Sequence, residues 1–412
     1  MLAVGALAVL LFDLVVDPYR MVDLVDVPGL NARKPEAEHQ IRLLKAYDVE
    51  RAHARTLLMG NSRVEVGLDP ESIALAAAPH PIYNMAIPGA GLREQIRYFQ
   101  HARAAGPVQF IVLGLDFVDF LTWPTVSARS PRERAPYEER LLVLDDGTPN
   151  PERLRALVHD ATTAFFSFAA FRDSVLTVLE QGPGNSDRTP LGFNPLEEYN
   201  SIVHREGHYA LFYQRDQENI AQRARGPKDV RLGDGRPGPE LEELRRLLAF
   251  CRAQRIGVLL FIHPYHARLI ETFRITGLWP AFETWKRELV RLIEEDRRAN
   301  PDTVPLQLWD FSGIGPWTSE TVPEEGDTRT EMRWYWEAGH YKKSLGDLAL
   351  DRMLSPEHAP AGATDFGMTL TAANLEAVLA ADRRAELQYR ASHLATIELL
   401  ETFLPAPKRP AP

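Results

Sequence analysis

The sequence predicts an α/β fold with a parallel sheet in a three-layer core, and two observations carry that prediction. Apolar runs at 56–59, 82–86, 108–115, 256–262 and 305–311 are short and nearly continuous rather than alternating, as strands buried on both faces require. Amphipathic segments of helical period sit beside them, at 92–105, 240–254 and 279–298, the pattern of strand–helix–strand crossovers.

The chain has 412 residues, 45% hydrophobic and 25% charged, enough for one large domain with insertions or for two domains. A formal net charge of -10 without a long basic run argues against nucleic acid as a partner. Cys251 is the only cysteine, which excludes an internal disulfide and a thiolate metal cluster. Its place in an amphipathic helix predicts a buried thiol.

Residues 2–16 are apolar except for Asp13. As a helix they reach about 22 Å, short of the ~30 Å hydrocarbon core. No Lys or Arg precedes them, so a secretory n-region is missing. A signal-anchor, a cleaved signal and a buried helix all compete. No small-residue cleavage pattern stands near Val16, and the membrane anchor fits best, with the rest of the chain outside the cytoplasm. The reading divides the chain into an anchor at 1–17, a linker and lead-in helix at 18–55, an α/β domain at 56–354, and a C-terminal helix and tail at 355–412.

Within the α/β domain the first strand is 56–59. A helix at 70–77 follows, capped by Asp69, then a strand at 82–86 running into Pro88-Gly89-Ala90-Gly91. The alternation lapses across 121–239, which is rich in Pro, Arg and Gly. This stretch is read as a large, mostly helical insertion with one helix at 154–179, forming a lid or substrate wall. Residues 370–403 are strong helix formers, and the Pro-rich tail from Pro405 is expected to be disordered.

Chemistry is expected where strands end. Ser62 follows the first strand in Gly60-Asn61-Ser62-Arg63, where its own N–H can face a cleft. Gly89 lets a second backbone N–H approach a ligand without a Cβ in the way. Glu337-Ala338-Gly339-His340 supplies an acid and an imidazole three apart. A serine needs a base for its proton and donors for the oxyanion, so His340 is the candidate base and Glu337 the group that sets its tautomer.

Plainer roles compete for each residue. Ser62 could cap a helix, and His340 could lie packed among Trp334, Tyr335, Trp336 and Tyr341, aromatics that would also suit a sugar platform. Asp116 and Asp119 could cap a strand end. Arg63 could be an ion-pair partner or hold an anionic substrate. His263 and His266, after the strand at 256–262, lack further ligands at familiar metal spacing, so lining a substrate cleft is the functional expectation and no metal is assigned. Asp365-Phe366-Gly367 matches a kinase magnesium motif, but its companion motifs are absent from the sequence.

These blocks resemble the SGNH (GDSL-like) hydrolase superfamily. Gly60-Asn61-Ser62-Arg63 is similar to its first block, with Asn61 in place of Asp. Asn84 to Ala90 is similar to the second, pointing to Gly89, and Glu337-Ala338-Gly339-His340 to the last, with Glu in place of Asp. Gly114-Leu115-Asp116 falls where the family has Gly-x-Asn. With the apolar N-terminus and Gly29-Leu30-Asn31-Ala32-Arg33-Lys34-Pro35, the nearest likeness is to membrane-anchored SGNH-like proteins of bacterial exopolysaccharide O-acetylation.

The resemblance implies an SGNH/flavodoxin-like core and a membrane-tethered esterase or O-acyltransferase acting on an extracytoplasmic polysaccharide. It implies catalysis by Ser62, His340 and Glu337 and an oxyanion hole from Ser62 and Gly89; substrate contacts are expected, from the residues' own chemistry and place, at Arg63, Asp116, His263 and His266. It implies no cofactor, an inner-membrane location with a periplasmic main domain, and an integral membrane acyl-donor protein as partner. Asp116 departs from the pattern, because an ionised carboxylate cannot donate to an oxyanion; losing one such donor costs about 2.7–4 kcal/mol. That departure supports the alternative, a non-catalytic SGNH-shaped scaffold or glycan-binding component.

Overall fold

The protein, described here from a computed structural model, is a mixed α/β structure with a mostly parallel six-stranded sheet. The structure describes residues 2–123, 125, 134–182, 185, 188–356 and 362–406. The last residues of the Pro-rich tail, 407–412, lie outside them, as do parts of the predicted insertion. The chain divides into two compact units, one formed by 1–71, 76–111 and 131–201, the other by 72–75, 112–130 and 202–412.

The first unit holds α1 (Leu2–Val16), α2 (Ile41–Ala52), β1 (Thr56–Met59), α3 (Ser62–Gly67), β2 (Ile82–Asn84), α4 (Leu92–Ala105) and the start of β3 (Phe110–Leu115). Its strand order is β2-β1-β3, with β1 and β2 parallel and Leu57 opposite Tyr83. Every residue of β1 and β2 is buried, the signature of strands covered on both faces. The single helix expected at 154–179 is two, α5 (Arg153–Phe166) and α6 (Phe168–Leu179). Ser167 breaks them with extended backbone, and its hydroxyl accepts from Ala170 N at 2.9 Å, the bond of an N-cap.

The second unit carries the rest of β3, then β4 (Gly257–Ile262), β5 (Gln307–Asp310), a hairpin of β6 (Tyr335–Glu337) and β7 (His340–Tyr341), and β8 (Met368–Thr369). The order is β3-β4-β5-β8; β4 and β5 are parallel, and β8 closes the edge antiparallel. Helix α7 (Glu197–Arg225) begins in the first unit and was not anticipated. It is interrupted at Gly207, whose φ of 82° suits glycine and whose Cβ would run into the Asp327 carbonyl. Helices α8 (Pro239–Ala253), α9 (Ala267–Ile275), α10 (Trp279–Ala299), α11 (Lys343–Leu354), α12 (Leu375–Ser392) and α13 (Leu394–Thr402) complete it. Its core is aromatic: Phe117 lies 5.0 Å from Phe273, 5.2 Å from Phe282 and 5.6 Å from Trp285, centroid to centroid. Cys251 is buried, and burial pushes its thiol up to about 12.

The helix expected at 70–77 is only a 3-10 turn, Ile73–Leu75. Asp69 still accepts from Glu71 N at 2.9 Å, but three residues of 3-10 helix are all that follow. Among the described residues no helix is long and apolar enough to cross a membrane.

Candidate active site

The serine arm lies in the first unit. β1 ends at Met59, and Asn61 takes the cap of α3, its side-chain oxygen accepting from Arg63 N at 3.1 Å. The cap role that competed for Ser62 therefore belongs to its neighbour, and Ser62 is the half-buried first residue of the helix. Six residues cannot hold a helix by local bonds alone, so α3 depends on its surroundings. Asn84, at the end of β2, donates to the carbonyls of Val64 at 3.0 Å and Leu68 at 2.8 Å and accepts from Ala86 N at 3.1 Å. Glu65, in the same helix, is gripped by Arg188 at 2.8 and 3.2 Å and by Lys45 at 3.3 Å.

All three members of that ionic cluster are buried. Burial alone pushes the Glu65 carboxyl up, but Arg188 and Lys45 outweigh it and hold it below the usual range. Burial dominates for Lys45 and brings its ammonium down to about 8. Lys45 also donates to Asn84 O at 2.7 Å and Gly192 O at 2.6 Å.

The loop carrying Gly89 lies beside this turn. Met85 N donates to Leu58 O at 2.8 Å and Ile87 N to Gly60 O at 3.1 Å. The chain then turns at Gly89, which is exposed, has a φ of 70° and has open space where a Cβ would stand. Backbone geometry, not crowding, therefore favours glycine here.

The acid–imidazole arm lies in the second unit. Ala338 and Gly339 form the two-residue turn between β6 and β7, and Glu337 stands opposite His340. His340 Nδ1 meets Glu337 Oε1 in a short contact, while Gly339 N donates to Glu337 Oε2 at 2.7 Å. Burial raises the Glu337 carboxyl, yet His340 and the Gly339 N–H hold it below the usual range. An ionised acid facing Nδ1 fixes the proton there and makes Nε2 the basic nitrogen, the arrangement a general base needs. His340 keeps partial exposure and Glu337 is buried.

Arg63, Asp116, His263 and His266 are all buried. Asp116 accepts from the Tyr265 hydroxyl at 2.9 Å, and that hydroxyl accepts from Phe117 N at 2.9 Å. Asp116 also caps the turn Phe117–Phe120 through Val118 N at 3.4 Å. His263 Nδ1 lies 3.2 Å from the Tyr341 hydroxyl. His266 caps α9, its Nδ1 accepting from Arg268 N at 3.2 Å and its Nε2 donating to Glu320 O at 2.8 Å. That tautomer has no room for a second proton, and burial brings the ring down to about 3.

His266 also lines a cavity of about 300 Å³ with Tyr209, Arg268, Glu320, Tyr389 and His393. The cavity wall touches the hairpin, since His266 N donates to Ala338 O at 3.3 Å and its ring meets Tyr335 edge-on at 4.9 Å. The aromatics flanking His340 divide: Tyr335 and Tyr341 are buried, while Trp334 and Trp336 are half-buried under Arg333 and Lys342 at 4.2 Å each. Among the described residues no group of three or more His, Cys, Asp or Glu could hold a metal ion.

Sequence reading missed the Lys45–Glu65–Arg188 cluster and the Tyr265 contact to Asp116, whose members are far apart along the chain. Asn84 entered it only as part of a motif, and its hydrogen bonds to the carbonyls of Val64, Glu65 and Leu68 had no local signal. Compared with protein-family models, curated proteins and solved structures, the chain matches none of them.

Proposed function

We propose that the chain is a membrane-tethered SGNH-type serine esterase or O-acyltransferase that acts on an acylated extracytoplasmic polysaccharide. The observation that carries the reading is the Glu337–His340 pair, an ionised, buried acid against Nδ1 of a partly exposed imidazole. Strand orders β2-β1-β3 and β3-β4-β5 are those of a flavodoxin-like sheet, which supports a three-layer SGNH-like core with ligands at the C-terminal strand ends. The capping of α3 by Asn61 supports Ser62 as nucleophile.

In this reading Ser62 Oγ attacks the acyl carbonyl carbon as His340 Nε2 takes the hydroxyl proton, and Glu337 stabilises the imidazolium. The N–H groups of Ser62 and Gly89 receive the oxyanion. The sugar oxygen leaves with the proton from His340. Water or another sugar hydroxyl then gives its proton to His340 and attacks the acyl-serine, releasing Ser62. No cofactor takes part. The reading puts the main domain in the bacterial periplasm at the inner membrane, and in a transferase setting an integral membrane protein delivers the acyl group.

The test is turnover of p-nitrophenyl acetate and labelling by a fluorophosphonate, with Ser62→Ala as the control. Serine-dependent turnover or labelling is expected; neither signal, in a folded protein, would sink the enzyme reading. A second reading, a non-catalytic SGNH-shaped glycan-binding or scaffold component, draws on Asp116. Engaged as an acceptor by Tyr265 and Val118, it does not supply the donor expected at that position. Glycan binding unchanged in Ser62→Ala, with no turnover, would favour that reading.

A further inference from the structure

The Glu337–His340 pair rides on an element that cannot hold itself. β6 and β7 form a two-stranded sheet of three and two residues, and an isolated hairpin of that size is marginal in water. Its geometry therefore depends on what the rest of its unit bonds to it. Tyr335 donates its hydroxyl to Pro264 O at 3.1 Å. The chain bends at Arg333 and Trp334 as it enters β6, and side chains satisfy the backbone there. Glu320 accepts from Arg333 N and from Trp334 N, the latter at 2.9 Å. Lys342 donates its ammonium to Met332 O at 2.7 Å, and Ser344 its hydroxyl to Arg333 O at 2.6 Å.

His208 joins this bend to the strand. It is fully buried in α7, directly after the interruption at Gly207. Its Nε2 lies 3.1 Å from Met332 N and its Nδ1 3.1 Å from Trp336 O. A backbone N–H can only donate and a carbonyl can only accept. Nε2 is therefore the bare nitrogen and Nδ1 carries the proton, which makes the ring neutral and fixes its tautomer. Burial holds the ring below its ordinary value of 6.5, against the Trp336 carbonyl, which favours a proton. Gly207, with a φ of 82° and no Cβ, lets the Asp327 carbonyl close on α7. That approach brings the segment leading to Met332 within reach of the ring.

Trp336 immediately precedes Glu337, whose carboxylate accepts from Gly339 N and meets His340 Nδ1. Moving Trp336 moves that carboxylate, and a misplacement of about 1 Å can cost about 10²-fold in a reaction that depends on alignment. A leucine at 208 would leave Met332 N and Trp336 O without their bonds to the ring. A glutamine would still offer one donor and one acceptor.

We propose that His208 is a positioning residue for the Glu337–His340 pair, tying the bend before β6 to the Trp336 carbonyl and so keeping the Glu337 carboxylate against Nδ1 of His340. It acts through the strand and not on the substrate. The inference rests on the reading of that pair as acid and base.

The test reads imidazole tautomers directly, by long-range proton–nitrogen correlation spectra of the histidine-labelled full chain at mildly alkaline pH, with p-nitrophenyl acetate turnover and far-UV circular dichroism alongside. In the unaltered protein His208 and His340 should both carry their proton on Nδ1, against the Nε2 preference of a free imidazole. In folded His208→Leu the His340 signals should move towards the free pattern. There kcat should fall more than about tenfold with KM within about twofold, and His208→Gln should restore both signals and rate. A cationic or Nε2-protonated His208 in the unaltered protein would overturn the inference without any variant. So would unchanged His340 signals in folded His208→Leu. Absence of Ser62-dependent turnover in the unaltered protein would sink the hydrolase reading alone, because the His340 tautomer still decides whether His208 positions the pair.

Discussion

Arg188 holds Glu65 by two hydrogen bonds, 2.8 and 3.2 Å long, inside a buried cluster that Lys45 completes. Glu65 lies in the helix that begins at Ser62, so an ion pair between residues 123 positions apart anchors the element that presents the candidate nucleophile.

Replacing Glu65 by Gln leaves two buried cations short of their acid. Breaking a buried pair from one side costs about 3–5 kcal/mol, so Glu65→Gln should lower unfolding free energy by that order in urea titration. A loss within about 0.5 kcal/mol, the usual range for a surface change, would show that the cluster does not hold the helix.

Asn61→Ala removes the oxygen that accepts from Arg63 N. Loss of an N-cap costs about 0.5–2 kcal/mol, and thermal unfolding should register it. If Ser62→Ala cost as much and Asn61→Ala nothing, the cap would belong to the serine after all.

Glu337→Gln keeps the shape of the hairpin and removes the charge that orients His340. If the pair works as a triad acid and base, kcat should fall by about 10²–10⁴-fold with KM little changed. Unchanged kcat in a catalytically active protein would reduce the pair to a structural contact.

His266 gives a pH dependence of known sign. Its ordinary value is 6.5 and in the fold it is brought down to about 3, chiefly by burial. Between those values the unfolded chain binds a proton that the folded chain does not. The stability this residue contributes is therefore complete above about pH 6.5 and is lost as pH falls towards 3. His266→Gln should be less stable than the parent at pH 7.5 and should narrow that gap towards pH 4.5 in thermal melts. A constant gap across that range would show that the ring does not titrate as described.

Continuous apolar runs located β1 to β5, because a strand covered on both faces needs hydrophobic residues at every position, whereas the two-residue edge strand β8 had no such run and was not read. Glu337 and His340 were readable for a similar reason, since a two-residue turn forces residues three apart to face each other across the hairpin. Other features left no such mark. Nothing near Asn84 signals that its amide holds α3, and nothing near Lys45 or Arg188 signals Glu65. The break at Ser167 was hidden inside an unbroken helical pattern, and with it the exposure of Phe166 and Phe168 on either side of the break. Local patterns fix which residues share a strand, a helix face or a turn, because those spacings follow from backbone geometry. Which side of each helix meets protein, and which distant charges are buried together, depends on desolvation, and only the packed chain decided it.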